Sequence, residues 1–123
     1  MRLDKVALVY RLGCNFMELI TENKIQEVVN KISYSYSPDK IILFGSYAKG
    51  NPDVTSDLDL LIIKNSALPR YKRGLEVRRL LFGSMIPIDL LVYTPREIEE
   101  QKNRKYSIVH EVLNTGKVIY ERK

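Results

Sequence analysis

Two aspartates and a glycine–serine pair are the residues in this sequence whose types and spacing could do chemistry together. Asp57 and Asp59 open the run DLDLLII, residues 57–63, and Gly45-Ser46 follows the run KIILF, residues 40–44. Both runs are short, apolar and β-favouring, and the first is bounded by Pro38 and Gly45, which is the pattern of core strands. Aspartate is depleted in strands, so two at the head of one need a reason. Strand alternation supplies it, because residues i and i+2 leave the same face about 7 Å apart. Asp57 and Asp59 can therefore aim both carboxylates at one point. Like charges so placed repel unless a cation lies between them, and hard oxygen ligands suit Mg²⁺. Gly45-Ser46 leaves the first strand through a turn whose amides and hydroxyl can cradle an anion. Carboxylates suited to a metal, set beside such a cradle, point to nucleotide chemistry.

The elements that must position these groups can be read along the chain. Thr21 is a suitable N-cap for a helix of about fourteen residues. Ile25, Val28, Val29 and Ile32 give that helix one apolar face. The serine–tyrosine run at 33–37, with Pro38, is expected to end it. Gly50, Asn51 and Pro52 mark a turn after the glycine–serine pair, and Thr55 and Ser56 have the chemistry to cap or turn the chain before Asp57. Lys49 is placed either to touch a phosphate or, as loop lysines more often do, to stand in solvent.

Residues 70–82 (RYKRGLEVRRLLF) set Arg70, Lys72, Arg73, Arg78 and Arg79 against Glu76 alone. Only part of this segment follows helical apolar spacing. A charge run of this kind is first of all a solvated helix face; the functional alternatives are a positive wall near a triphosphate or a dock for an acidic partner. A third apolar run, IPIDLLV at 86–92, carries Asp89 in its middle, where burying an unpaired carboxylate would be costly. Thr94-Pro95-Arg96-Glu97 is a capping box with proline at the first helical position, so a helix begins there. A second helical piece over 107–114 presents Ile108, Val109, Val112 and Leu113 and stops at Gly116. Residues 117–120 then close as a short strand at a sheet edge.

Gly45-Ser46, ten further residues and Asp57-Leu58-Asp59 resemble the GS-x10-DxD signature of the polymerase β-like nucleotidyltransferase superfamily. The wording FGSYAKG followed by SDLDLLI is most similar to its minimal nucleotidyltransferase (MNT) branch. The combined signature is specific where either half alone would be weak, and the likeness extends over most of residues 17–122. It implies an α+β fold, a small mixed sheet flanked by helices in one minimal domain, and a third carboxylate in the place of Asp89. It further implies Mg²⁺-dependent transfer of a nucleotide from ATP or another nucleoside triphosphate, with Asp57, Asp59 and Asp89 as catalytic residues holding two metal ions. Gly45 and Ser46 would bind the outer phosphates, and Asp89 would assist the acceptor hydroxyl. Members of this branch are commonly paired with a HEPN-domain protein as toxin and antitoxin, the MNT member transferring AMP to a tyrosine of its partner. That pairing is the leading expectation. A binding-only antitoxin, and a nucleotidyltransferase acting on RNA or a small molecule with a separate helical subunit, are the alternatives.

Composition is consistent with this and narrows little further. The 123 residues are 45% apolar and 28% charged, as in an ordinary globular domain. Cys14 is the only cysteine and His110 the only histidine, which excludes a disulfide framework and any multi-histidine metal site. No apolar run approaches a membrane span and no signal-peptide core is present, so a cytoplasmic protein is expected. The net charge of +5 permits nucleotide phosphates or an acidic partner, with direct nucleic-acid binding not expected. Residues 1–16 fall outside the resemblance and are assigned no role; the domain is taken as 17–123. Arg104 and His110 loosely resemble the Arg-x4-6-His motif of HEPN ribonucleases, but an ordinary structural histidine is the better reading.

Overall fold

In the computed structural model, residues 19–123 are described, with five helices and four strands among them. Residues 1–16, including the apolar stretch at 6–10, lie outside the described residues.

Helix α1 (Glu22–Tyr36) starts where the Thr21 hydroxyl accepts a hydrogen bond from the Lys24 amide at 3.1 Å. Its buried stripe is Val28, Val29, Ile32 and Tyr36. The helix runs through most of the serine–tyrosine segment expected to end it, because Tyr36 is part of the core. The Tyr36 ring is buried, the Lys64 ammonium sits 4.5 Å from its centroid, and the same ammonium donates to the Tyr36 carbonyl. The left-handed residue Ser37, at φ 51°, then stops the helix.

Strand β1 (Lys40–Phe44) is followed by the single-turn helix α2 (Ser46–Lys49), strand β2 (Leu58–Ile63) and helix α3 (Arg70–Leu80). Strand β3 (Ile88–Tyr93), helices α4 (Pro95–Gln101) and α5 (Ile108–Thr115), and strand β4 (Lys117–Glu121) complete the chain. The sheet order is β3-β2-β1-β4. β1 is antiparallel to both β2 and β4, whereas β2 and β3 are parallel, joined by α3 as the crossover. The expected mixed α+β architecture is present, with β4 at an edge. That edge is tied to β1 by the Arg122–Asp39 ion pair and by Lys40 and Glu121 at 3.5 Å.

Side-chain parity divides the core in two. Ile41, Leu43, Leu58, Leu60, Ile62, Leu90 and Val92 point to one face and pack with α1 and with Val77 and Leu81. Ile42, Leu61, Ile63 and Tyr93 point to the other and pack with Val109 and Val112 of α5. Gly116, just past α5, allows that helix to lie close. A Cβ there would stand 2.7 Å from the Ile42 side chain and 2.9 Å from the Leu43 carbonyl oxygen.

The charged segment 70–82 is helical, but it is not simply a solvated face. Arg73 is buried, with Val77 one turn on as its apolar neighbour in the same stripe. Its Nε donates to the Leu68 carbonyl at 2.8 Å, and its two terminal nitrogens reach Glu97 Oε1 and Oε2 at 2.6 and 3.2 Å. Nη1 also donates to the Val92 carbonyl at 3.2 Å. Glu97 at the same time closes the capping box of α4: its Oε1 accepts from the Thr94 amide, and its own amide donates to the Thr94 hydroxyl. The Arg73 guanidinium holds the Glu97 carboxyl below the usual glutamate range. One fork-to-fork pair thus fastens α3 to the end of β3 and the start of α4.

Arg73→Ala should lower unfolding stability by about 3 kcal/mol, because it strands a partly buried carboxylate, and Arg73→Lys should recover only part of that. Glu97 has a depressed folded-state pKa, so the pair's contribution is present above the unfolded glutamate pKa and is lost as pH falls through the folded one. Urea titrations at neutral and acid pH should therefore show the Arg73→Ala deficit narrowing in acid.

Candidate active site

Asp59 stands at the crossing of the two sheet registers. It is opposite Phe44 on antiparallel β1 and opposite Asp89 on parallel β3. By alternation it shares its face with Leu61 and Ile63, and Asp89 shares the same face with Leu91 and Tyr93. At the far end of the strands α5 covers this face; at the end holding Asp59 and Asp89 no described helix lies over it. Asp59 is half-buried and Asp89 exposed.

Asp57 lies one residue before β2, so the strand begins at Leu58 and not at the first aspartate. It is exposed as well. A hydrogen-bonded turn delivers it: Asp53 Oδ1 accepts from the Thr55 amide at 2.8 Å, from the Thr55 hydroxyl at 2.6 Å and from the Ser56 hydroxyl at 3.3 Å. The Ser56 hydroxyl also accepts from the Asp53 amide at 2.9 Å. Thr55 and Ser56 act as turn residues here, and these bonds, Thr55's first, hold the exposed Asp53 carboxyl below its ordinary pKa. Leu58 N then donates to the Pro87 carbonyl at 2.9 Å, which sets the entry to β2 against the entry to β3.

The three carboxylates feel one another. The Asp59 carboxyl is pushed above the usual aspartate range by burial first, then by the negative charges of Asp89 and Asp57. Burying an unpaired Asp89 in its apolar strand would be costly; it is instead exposed, although Leu90, Val92 and Tyr93 of the same strand are buried, so burial is not what makes it unusual. What singles it out is that it faces Asp59 across the parallel register.

Gly45 borders this patch. It has φ 75° and ψ −155°, a region essentially closed to other residues, and Asp59 leans over it. A Cβ at position 45 would come within 2.1 Å of Asp59 Oδ2. Ser46 starts α2, whose Ala48 and Lys49 amides both donate to the Gly45 carbonyl at 3.1 Å. The first amides of a helix have no acceptor within it and face outward. Lys49 is exposed at the end of the same turn. Tyr47 was not singled out in the sequence, yet its hydroxyl accepts from the Ile20 amide at 2.9 Å and anchors α2 to the approach of α1. Nothing in its local sequence signals that long-range bond.

All five candidate residues thus gather at one end of the sheet. The donor set of the three aspartates is carboxylate oxygen, and the repulsion at Asp59 is of the kind a divalent cation relieves, so their chemistry fits Mg²⁺. As they stand, no three such side chains among the described residues are grouped closely enough to hold a metal ion. A cavity of about 950 Å³ lies elsewhere, bounded by Ile20, Ile25, Val29, Tyr47 and Ile119, and none of the five residues lines it.

His110 is accounted for structurally. Its Nδ1 lies 2.8 Å from the Lys102 carbonyl oxygen and its Nε2 3.0 Å from the Asn114 side-chain amide, so both ring nitrogens are used. The described residues include no helix long and apolar enough to cross a membrane.

Because the Asp59 pKa is raised on folding, its charge destabilises the fold above the folded-state value, and that penalty disappears as pH falls through it toward the unfolded one. Asp59→Asn should therefore raise the thermal midpoint by about 1–3 °C at pH 7 in chelator. The gain should shrink on acidification, as differential scanning calorimetry across pH would show.

Comparison with known proteins bears on the family and the fold. The family model described as Polymerase beta, Nucleotidyltransferase matches residues 23–123. Three proteins of Methanocaldococcus jannaschii, each named a putative protein adenylyltransferase, are similar in sequence. One is 37% identical over 103 residues, covering 80% of this chain and 97% of the relative. A second is 35% identical over 78 residues, or 63% and 75% of the two chains. The third is 30% identical over 112 residues, or 85% and 75%. Among solved structures, a "putative nucleotidyltransferase" from Sulfolobus solfataricus superposes with a TM-score of 0.56 at 22% identity, over 81% of this chain and 79% of that one. A toxin–antitoxin structure with AMP-PNP gives 0.53 at 24% identity, over 84% and 75%. At these identities the two structures speak for the fold alone.

Proposed function

The chain belongs to the polymerase β nucleotidyltransferase family, and from that premise we propose that it is a Mg²⁺-dependent protein adenylyltransferase, the antitoxin of a HEPN–MNT pair, transferring AMP from ATP to a tyrosine of its partner. The observation that carries the reading is that Asp57, Asp59 and Asp89, drawn from two strand entries, share one open patch beside Gly45. The M. jannaschii relatives' printed name supports a protein acceptor. Antitoxin role and HEPN partner rest on the sequence resemblance. ATP as donor and cytoplasmic location belong to the same proposal, as does a domain spanning 17–123.

In this scheme the acceptor hydroxyl attacks the α-phosphate, a new oxygen–phosphorus bond forms, the α–β bridge breaks and pyrophosphate leaves. Asp57 and Asp59 would hold Mg²⁺, with Asp89 completing the place for a second ion, and the metal when bound neutralises the triphosphate and stabilises attacking and leaving oxygens. Asp89, at the exposed edge, is placed to take the hydroxyl proton. Gly45 lets the backbone approach the phosphates, and the Ser46 hydroxyl and outward amides donate to the charge that gathers as pyrophosphate departs.

Incubation with labelled ATP, Mg²⁺ and the HEPN-domain partner that this reading requires should add one or more AMP units to that partner, seen by intact mass. Asp57→Asn with Asp59→Asn should abolish the gain while circular dichroism stays unchanged, and chelation should do the same. A full mass gain with the double variant would sink the proposal; neutralisation of the partner without any mass gain would favour the binding-only antitoxin.

A further inference from the structure

We propose that the outer side of α3 and the turn after it are the surface on which the acceptor protein docks, and that the acceptor meets it with an acidic segment carrying an apolar side chain. This rests on the protein-acceptor reading above and adds the place and the chemistry of recognition.

With Arg73 and Val77 facing the core, the opposite side of α3 carries Tyr71 and Leu75, one turn apart, and Phe82 continues that line beyond the helix. Tyr71 is 79% exposed, Leu75 54%, Phe82 91% and, in the turn, Met85 93%. Apolar groups this exposed in one stretch mark a contact surface when charged residues rim them. Lys72, Arg78 and Arg79 do so here, all exposed, with only Glu76 opposing them, while the Arg70 guanidinium lies toward the inner side, 5.0 Å from the centroid of the buried Tyr93 ring. Arg73, the remaining cation of the segment, is spent on Glu97.

The turn is built to hold this display. Leu81 is buried beneath it, the Phe82 amide donates to the Arg79 carbonyl at 3.3 Å and the Ser84 amide to the Leu81 carbonyl at 3.1 Å. Gly83 and Met85 adopt left-handed φ values of 87° and 60°. For methionine that is a sparsely populated state. Placement also fits the chemistry. Pro87 is bonded to the entry of β2, and Met85 is four residues before Asp89, a reach of at most about 14 Å. The turn lies at the strand-entry end of the sheet, whereas α3 itself covers the face opposite Asp59 and Asp89, so an acceptor seated on Phe82 and Met85 would reach round the entry of β3 to the carboxylate that would take its hydroxyl proton.

The composition favours protein over nucleic acid. Phe, Tyr, Met and Arg are the residues enriched at protein interfaces. A single-strand surface pairs its cations with aromatic stacking platforms; Tyr71 and Phe82 could serve so, but Leu75 and Met85, which share the patch, offer no such plane.

A fluorescein-labelled peptide of glutamates around one leucine and one tyrosine, the same peptide with lysines for glutamates, and a single-stranded RNA decamer would be titrated against the full chain by fluorescence anisotropy. The acidic peptide should bind in a salt-sensitive way. Its affinity should fall about tenfold or more in Arg78→Glu with Arg79→Glu, and also in Phe82→Ser with Met85→Ser. Asp57→Asn with Asp59→Asn should leave it unchanged. Thermal midpoints would show that the surface variants stay folded. Absent binding, equal binding of the lysine peptide, unchanged affinity in both surface variants, or RNA binding tighter than the acidic peptide would each overturn the proposal. The readout is binding alone, so failure of nucleotide transfer would refute the enzymatic reading without deciding this one.

Discussion

The row of the sheet that runs Phe44–Asp59–Asp89 is the constraint on which the rest depends. Among the described strands β2 alone has one antiparallel and one parallel neighbour, and Leu58, Leu60, Leu61 and Ile62 within it are fully buried. A strand buried on both faces has little freedom of register, because a slip of one residue would turn Asp59 into the apolar face and Leu60 out of it. Fixing that register fixes which residue of β1 and which of β3 meet Asp59. Gly45, one position past Phe44, then has to leave room for the Asp59 carboxylate.

The two faces of the sheet are treated differently. One is covered by α1 and the inner side of α3, the other only in part by α5. A carboxylate on the covered part of either face would need a partner of its own, and at the uncovered end solvent supplies much of the need. Charge that does enter the interior is paired, as Arg73 with Glu97 shows, and there the pair also secures a helix cap. Burial is the first cause of the rise in the Asp59 pKa, and the negative charges of Asp89 and Asp57 follow.

Much of this was legible in the sequence, and the exceptions have physical causes. The strands, the Thr21 and Thr94 caps and the glycine after α5 are local signals, written in residues that act on their own neighbours. The gathering of Gly45, Ser46, Asp57, Asp59 and Asp89 followed from a spaced motif whose parts meet through strand pairing. Arg73 was misread as part of a solvated run because sequence assigns charge outward, and only the carbonyl oxygens of Leu68 and Val92 with Glu97 make its burial tolerable. The inward and outward sides of α3 could not be told apart for the same reason: its core stripe contains an arginine while its outer one contains leucine and tyrosine. The strand of Asp89 is apolar and its Leu90, Val92 and Tyr93 are buried, yet Asp89 is exposed, because which end of the face a helix covers is set by packing that the strand's own residues do not encode.

The open end of the sheet has a consequence for selectivity. A pocket that encloses its reactant can reject wrong ones by shape; among the described residues Asp57 and Asp89 stand exposed, where water reaches them as freely as any alcohol. In the proposed transfer, discrimination among hydroxyl groups would fall to whatever body lies over that face, and until it arrives the competing nucleophile would be the solvent itself.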